Sequence, residues 1–295
     1  MYWEKYYLAR NAPEALDLLA QFEGQARLIA GGTDLVIQLR EGQKRARVLV
    51  DISGIEEMQY IKEDNGKIRI GALTTHRQLA ASPLLRKTAP VLAQAAASVG
   101  SPQIRNVGTV GGNIVNAQPA ADTAVALMAL DATATIISAA GEREVPLTGL
   151  FAGVGKSNID PTREMIKEFS FDVAPGRLVS AFGRIARRNA LALPVLNVGV
   201  SLACDRQAQN LQKACVCVAP VAPVPLRATE AEQILINEPL NDRTLRAAAE
   251  AAARSARPRD SRLRGSAEYR IELVRVMTYR TLRNALQSLE GDAGA

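Results

Sequence analysis

His76 is the only histidine in 295 residues, so a Ser-His-Asp triad or a histidine-rich zinc site has almost no material here. Cysteine is nearly as scarce. Cys204, Cys215 and Cys217 are the whole supply, fewer than the thiolates an iron–sulfur cluster normally takes. Cys215 and Cys217 share one face of an alternating run, Ala214 to Val218, which reads as a strand carrying small buried thiols. Aromatic residues make up 4% of the chain, and the net charge of +6 comes from basic residues interspersed with acids. Nucleic-acid binding, which wants a basic stripe and stacking aromatics, is not expected. No apolar run reaches the roughly 18 to 20 residues of a membrane span. The opening Met1-Tyr2-Trp3-Glu4-Lys5 lacks the basic-then-apolar order of a secretory signal, so the cytoplasm is the expected location. A separate Gly-x-Gly-x-x-Gly fingerprint for NAD is also missing.

What the chain does have is a pair of glycine-rich turns, Ile29-Ala30-Gly31-Gly32-Thr33-Asp34-Leu35 and Gly108-Thr109-Val110-Gly111-Gly112-Asn113. Adjacent glycines let backbone approach a ligand closely, and their N–H groups can face an anion. Two such cradles suit a ligand with two phosphates and a long body, and a dinucleotide is the natural candidate.

Around the first turn the pattern is helix, strand, turn, helix, strand: Ala12 to Phe22, Arg27 to Ala30, the glycines, Thr33 to Leu39, and Arg47 to Ile52. The two strands are expected to pair in parallel, with the turn at a helix N-terminus where oriented N–H groups favour negative charge. A second unit begins near Ile61, with a strand at Lys67 to Ala72, helices at Thr75 to Ala81, Pro90 to Ser98 and Ala120 to Ala129, and strands at Ala132 to Ile137 and Ile166 to Phe171. His76 falls at a helix start capped by a threonine, a structural or peripheral place. Pro175-Gly176 breaks the pattern. Leu178 to Ile185, Asn197 to Cys204 and Ala214 to Val218 then read as three antiparallel strands, Pro220, Pro223 and Pro225 stop regular structure, and the rest is helix-rich.

At the two turns the chain resembles the FAD-binding medium subunit of the molybdenum hydroxylases, the family of xanthine dehydrogenase, nicotinate dehydrogenase and aerobic carbon monoxide dehydrogenase. The resemblance is carried by Ala30 to Leu35, by Gln103 to Ile114, by Asp122, and by the late segment Arg264-Gly265-Ser266-Ala267-Glu268-Tyr269-Arg270. Together these span nearly the whole chain in the family's order. The resemblance implies an α+β architecture: a two-subdomain FAD-binding fold of the vanillyl-alcohol-oxidase/PCMH type in residues 1–60 and 61–174. A C-terminal CO-dehydrogenase-flavoprotein-like domain, 175–295, is expected to follow, with a three-stranded antiparallel sheet and a helical bundle.

It also implies roles. Ile29, Ala30, Gly31, Gly32, Thr33, Asp34 and Leu35 would form the first pyrophosphate loop, and Thr109, Gly111, Gly112 and Asn113 the second. Asp122 matches a position that accepts hydrogen bonds from cofactor hydroxyls. Arg105 and Asn106 would either contact the cofactor or brace the turn. Arg184, Arg187 and Arg188 lie where the family's last domain approaches the flavin and the subunit interface. The segment Leu191-Ala192-Leu193-Pro194 departs from the polar or aromatic residue often found there. No residue is expected to act as acid, base, nucleophile or metal ligand. The molybdenum-pterin cofactor and two 2Fe-2S clusters belong to partner subunits, a molybdenum-binding large one and a two-cluster small one. NAD⁺ is expected to be a transient acceptor. Alternatives are a stand-alone flavin oxidoreductase, which would turn over without partners, and a scaffold subunit, which would hold no flavin.

Overall fold

The computed structural model describes residues 2–173, 177–188, 190–205 and 211–291. Its first layer comprises β1 (Lys5–Leu8), α1 (Ala12–Gln21), β2 (Ala26–Ile29), α2 (Leu35–Arg40) and β3 (Val48–Asp51). β3 lies between β1 and β2 and runs parallel to both. The pairing of β2 with β3 matches the sequence pattern. β1 does not announce itself, because its residues are mostly exposed and show no apolar alternation. α1 starts where the Asn11 side chain accepts the Glu14 N–H, and its proline sits in the first turn, which needs no amide donor.

The second layer is a five-stranded sheet in the order β4-β5-β10-β6-β7. Its strands are β4 (Ile61–Asp64), β5 (Lys67–Gly71), β6 (Thr133–Ser138), β7 (Gly141–Pro146) and β10 (Glu164–Asp172), with a small hairpin of β8 (Phe151–Gly153) and β9 (Lys156–Ser157) between. The central β10 is antiparallel to both β5 and β6. Helices α3 (His76–Ala81), α4 (Pro83–Thr88), α5 (Pro90–Ser98), α6 (Pro102–Val107), α7 (Val110–Asn116) and α8 (Asp122–Ala129) fill the long crossover from β5 to β6. Every residue of α8 is buried, so its apolar composition all round makes it a core helix rather than an amphipathic one. The first two layers share one apolar core that contains Val48, Val50, Ile68, Ile70 and Phe169.

The third layer holds β11 (Arg177–Ala186), β12 (Pro194–Cys204), β13 (Leu211–Ala219), β14 (Leu226–Arg227), α9 (Thr229–Asn237), α10 (Asp242–Ser255) and α11 (Ala267–Gly291). The three expected strands are antiparallel neighbours, but the sheet has a fourth. β14 resumes pairing after the prolines, with Arg227 opposite Cys217 and Leu226 opposite Val218. Arg227 is anchored there because its guanidinium donates to Glu232 Oε1 at 2.6 Å and to Asp131 Oδ1 at 3.1 Å. β12 is buried along its whole length, with Gly199 against Ala129 of α8 and Val198 and Val200 in the core shared with α10 and α11. The three cysteines are buried, and burial pushes the Cys215 thiol up to about 11. No described helix is long and apolar enough to cross a membrane.

Candidate cofactor cleft

A cleft of about 530 Å³ opens between the first and second layers. Eleven of the twelve expected site residues line it: Ile29, Ala30, Gly31, Gly32, Thr33, Asp34, Leu35, Thr109, Gly111, Gly112 and Asn113. The two glycine turns are brought into direct contact. A side chain on Gly31 would run into the Val107 carbonyl oxygen, so only hydrogen at that position lets the first turn lie against the residues that lead into the second. Gly32, with φ of +66°, takes the left-handed conformation that closes the turn and releases the chain into α2.

The first turn is a donor set without acceptors. The N–H groups of Gly31, Gly32, Thr33, Asp34 and Leu35 meet no described protein acceptor, and the first bond of α2 is Val36 N–H to the Gly32 carbonyl at 3.1 Å. No side chain caps α2. Orphan amides at a helix start carry partial positive charge and call for an anion. The chemistry of this donor set fits a diphosphate.

The second turn is built differently. It is a helix start rather than a loop, because Thr109 caps α7 and its hydroxyl accepts the Gly112 N–H at 3.1 Å. Val110 N–H donates to the Thr74 carbonyl at 3.0 Å, Gly111 N–H to the Ala72 carbonyl at 2.8 Å, and Asn113 N–H to the Thr109 carbonyl at 3.0 Å. These amides are therefore used inside the protein. The second turn supplies a firm wall, while most of the free amides come from the first. Asn113 Oδ1 accepts the Thr123 hydroxyl at 2.7 Å, which aims the Asn113 side chain from behind. Arg105 donates to the Val99 carbonyl at 2.9 Å and Asn106 accepts from Arg77 at 3.1 Å. Both brace the turn and neither lines the cleft.

Several lining residues carry no motif. Gln38 and Asn116 reach the cleft from α2 and α7, while Ile159, Met165 and Ile166 form an apolar wall that includes the start of β10. Arg27, Lys44 and Arg45 add positive charge to the lining. Burial lowers the Lys44 pKa, as does the charge of Arg27, while Asp34 opposes the shift. Burial raises the Asp34 carboxyl, and the Asn116 hydrogen bond, Lys44 and Thr33 hold it back. Only the 3.6-residue repeat could have suggested Gln38, one turn beyond Asp34 on the same face. His76, also in the cleft wall, is 2% exposed. Burial, reinforced by Arg105, drives it down to about 4, and its Nδ1 has no partner. It is thus a neutral imidazole with an open polar atom beside the second turn.

Asp122 is the expected site residue that does not join the cleft lining. Its Oδ1 accepts from Arg184 Nε at 3.0 Å and from Asn197 Nδ2 at 3.1 Å. Burial raises this carboxyl, against the pull of Arg184 and Asn197. The acid heads α8 and turns toward β11 and β12 because those strands hold its cation. Through the adjacent Thr123, α8 joins the second turn to the third layer.

Comparison with known proteins agrees along the whole chain. Residues 3–171 match the FAD binding domain in molybdopterin dehydrogenase, and residues 181–285 match the CO dehydrogenase flavoprotein C-terminal domain. The xanthine dehydrogenase FAD-binding subunit of Escherichia coli O157:H7 is 36% identical over 288 residues, covering 97% of both chains. The nicotinate dehydrogenase FAD-subunit of Eubacterium barkeri is 35% identical over 246 residues, or 82% of this chain and 83% of that one. A chain of carbon monoxide dehydrogenase from Hydrogenophaga pseudoflava, solved without the molybdenum-pyranopterin moiety, superposes with a TM-score of 0.90 at 28% identity. That superposition covers 97% of this chain and 98% of the other.

Proposed function

Because this chain belongs to the family of FAD-binding subunits of molybdopterin dehydrogenases, we propose that it is the electron-transfer subunit of a molybdenum hydroxylase complex. Its partners on this reading are a large subunit with the molybdenum-pterin cofactor and a small subunit with two 2Fe-2S clusters. The acceptor is NAD⁺, bound transiently, and the complex works in the cytoplasm. Residues 1–60 and 61–174 are two cofactor-binding subdomains of the vanillyl-alcohol-oxidase/PCMH type, and residues 175–295 the C-terminal domain.

FAD, when bound, exchanges electrons singly or in pairs, which is what joins one-electron clusters to a two-electron acceptor. The chain's own residues bind and orient. The amides of Gly31 to Leu35 hold the diphosphate, and the Thr33 hydroxyl adds a donor. Thr109, Gly111, Gly112 and Asn113 form the opposing wall. Ile159, Met165 and Ile166 keep water from one side of the cleft. Asp122, held at Oδ1 by Arg184 and Asn197, also acts from behind, through α8, as a positioning residue.

Support comes chiefly from the run of acceptor-free amides at the first turn, set against the second turn by Gly31. The experiment is stopped-flow reoxidation of the substrate-reduced complex. NAD⁺ should restore the flavin absorbance within turnover time. No acceleration over buffer would remove NAD⁺ as the acceptor, and a chain that purifies without flavin or partners would remove the whole reading.

A further inference from the structure

Arg270 is 4% exposed and has no carboxylate partner among the described residues. Its Nη1 donates to the Arg259 carbonyl at 3.0 Å, while its Nε is buried without any partner. Arg264, half-buried beside it, donates from Nε to the Pro194 carbonyl at 3.2 Å and likewise meets no acid. Burial lowers the pKa of both guanidinium groups, and the charge of Arg264 adds to the effect on Arg270. Arg184 and Arg227, half-buried in the same layer, are by contrast paired with Asp122 and Glu232. An uncompensated buried cation costs several kcal/mol, so this pair is anomalous unless an anion reaches it from outside.

Among the described residues no acid forms an ion pair with either guanidinium group. Asp260 Oδ1 is taken by the Ala267 N–H at 2.7 Å, and Glu268 makes no described ion pair. The stretches 174–176, 189 and 206–210 contain no Asp or Glu. The far end of α11 at Gly291 is about 32 Å along the helix from Arg270, at 1.5 Å per residue.

The rim points to a polypeptide rather than a small anion. At the Arg264–Pro194 contact the preceding residues of the two segments, Leu263 and Leu193, are 65% and 66% exposed, and nearby Tyr269 is 51% exposed. Exposed apolar residues around a desolvated arginine are the makings of an interface hot spot. We infer that Arg264 and Arg270 form a receptor for an Asp or Glu side chain of another subunit. The carboxylate seats on the two guanidinium groups while Leu193, Leu263 and Tyr269 exclude water around it.

The inference rests on the multisubunit assembly proposed above, and the test separates the two. In the complete complex, Arg264→Lys is treated with a carbodiimide, which joins an amine to a carboxylate only in direct contact, and the product is mapped by mass spectrometry. An amide between the introduced amine and an Asp or Glu of a different subunit is the expected result. A link only to Asp260, to Glu268 or to a second copy of this chain, or no link in an intact complex, overturns the receptor while leaving the assembly standing. Arg270→Met gives an independent reading. The isolated variant should keep its FAD content and lose no thermal stability, yet bind its partner subunits about tenfold or more weakly. A lower melting temperature with unchanged partner affinity would mark a purely structural arginine and also overturn it. A chain that carries FAD but never co-purifies with partners would defeat the assembly, and the receptor with it.

Discussion

Gln38 Nε2 donates to Asn116 Oδ1 at 2.9 Å, joining the helix behind the first glycine turn to the helix behind the second. Asn116 also lowers the pKa of Asp34 through a hydrogen bond, so one side chain touches both the link and the mouth of the first turn. Replacing it with alanine removes both contacts and should cost about 1 kcal/mol of stability. Asn116→Ala should therefore melt earlier and hold FAD several-fold more weakly in a fluorescence titration. Unchanged affinity would show that the two helices keep their spacing without the bond.

Gly31→Val should strip flavin from the protein. Its side chain meets the Val107 carbonyl, so the first turn must move away from the second, at about 1 to 3 kcal/mol of overpacking strain. Gly54, with open space around it, supplies the control, since Gly54→Ala should keep a normal ratio of flavin to protein absorbance. Equal flavin in both variants would contradict the close contact of the turns.

Asp122→Ala should be among the most destabilising single changes in the molecule. It leaves Arg184 buried without its carboxylate and removes the acceptor of Asn197, a loss of about 3 to 5 kcal/mol. The double change Asp122→Leu with Arg184→Met should recover much of that in urea unfolding, because no lone charge remains. A double variant as unstable as the single one would mean that the ion pair itself, and not the orphaned cation, sets the cost.

His76 gives the protein an acid-sensitive element. Its folded pKa, down at about 4, lies below the ordinary value of 6.5, so between those limits only the unfolded chain takes up the proton. Stability from this group is intact above about pH 6.5, falls as the pH drops toward 4, and falls no further below it, with about 3 kcal/mol as the full span. The difference in melting temperature between wild type and His76→Gln, measured at pH 7 and again at pH 5, should move against the wild type on acidification. Parallel acid profiles would mean that the imidazole gains a partner when it charges.

The first turn was legible because strand, glycines and helix follow one another within a short stretch, and the parallel pairing of β2 with β3 follows from that order. The second was only half legible. Its glycines read as a loop, yet the Thr109 cap turns them into the start of α7, and the amides expected to face the ligand are bonded within the protein. β4 and β7 left little trace, since seven of their ten residues are exposed and the backbone pairing that defines them leaves no apolar period. The apolar wall formed by Ile159, Met165 and Ile166 joins the cleft through β10, far along the chain from either motif. Asp122 was found by its motif, but its partners Arg184 and Asn197 come from another sheet, which no local pattern encodes.

On the proposed reading the diphosphate is the point of grip, held by the amides of Gly31 to Leu35. Calorimetric titration of the flavin-free chain with FAD, FMN and riboflavin tests it most directly. FAD should bind at one per chain and about a hundredfold or more tighter than FMN or riboflavin, as expected when charge-assisted hydrogen bonds to the diphosphate are lost. FMN or riboflavin binding as tightly as FAD would contradict the account.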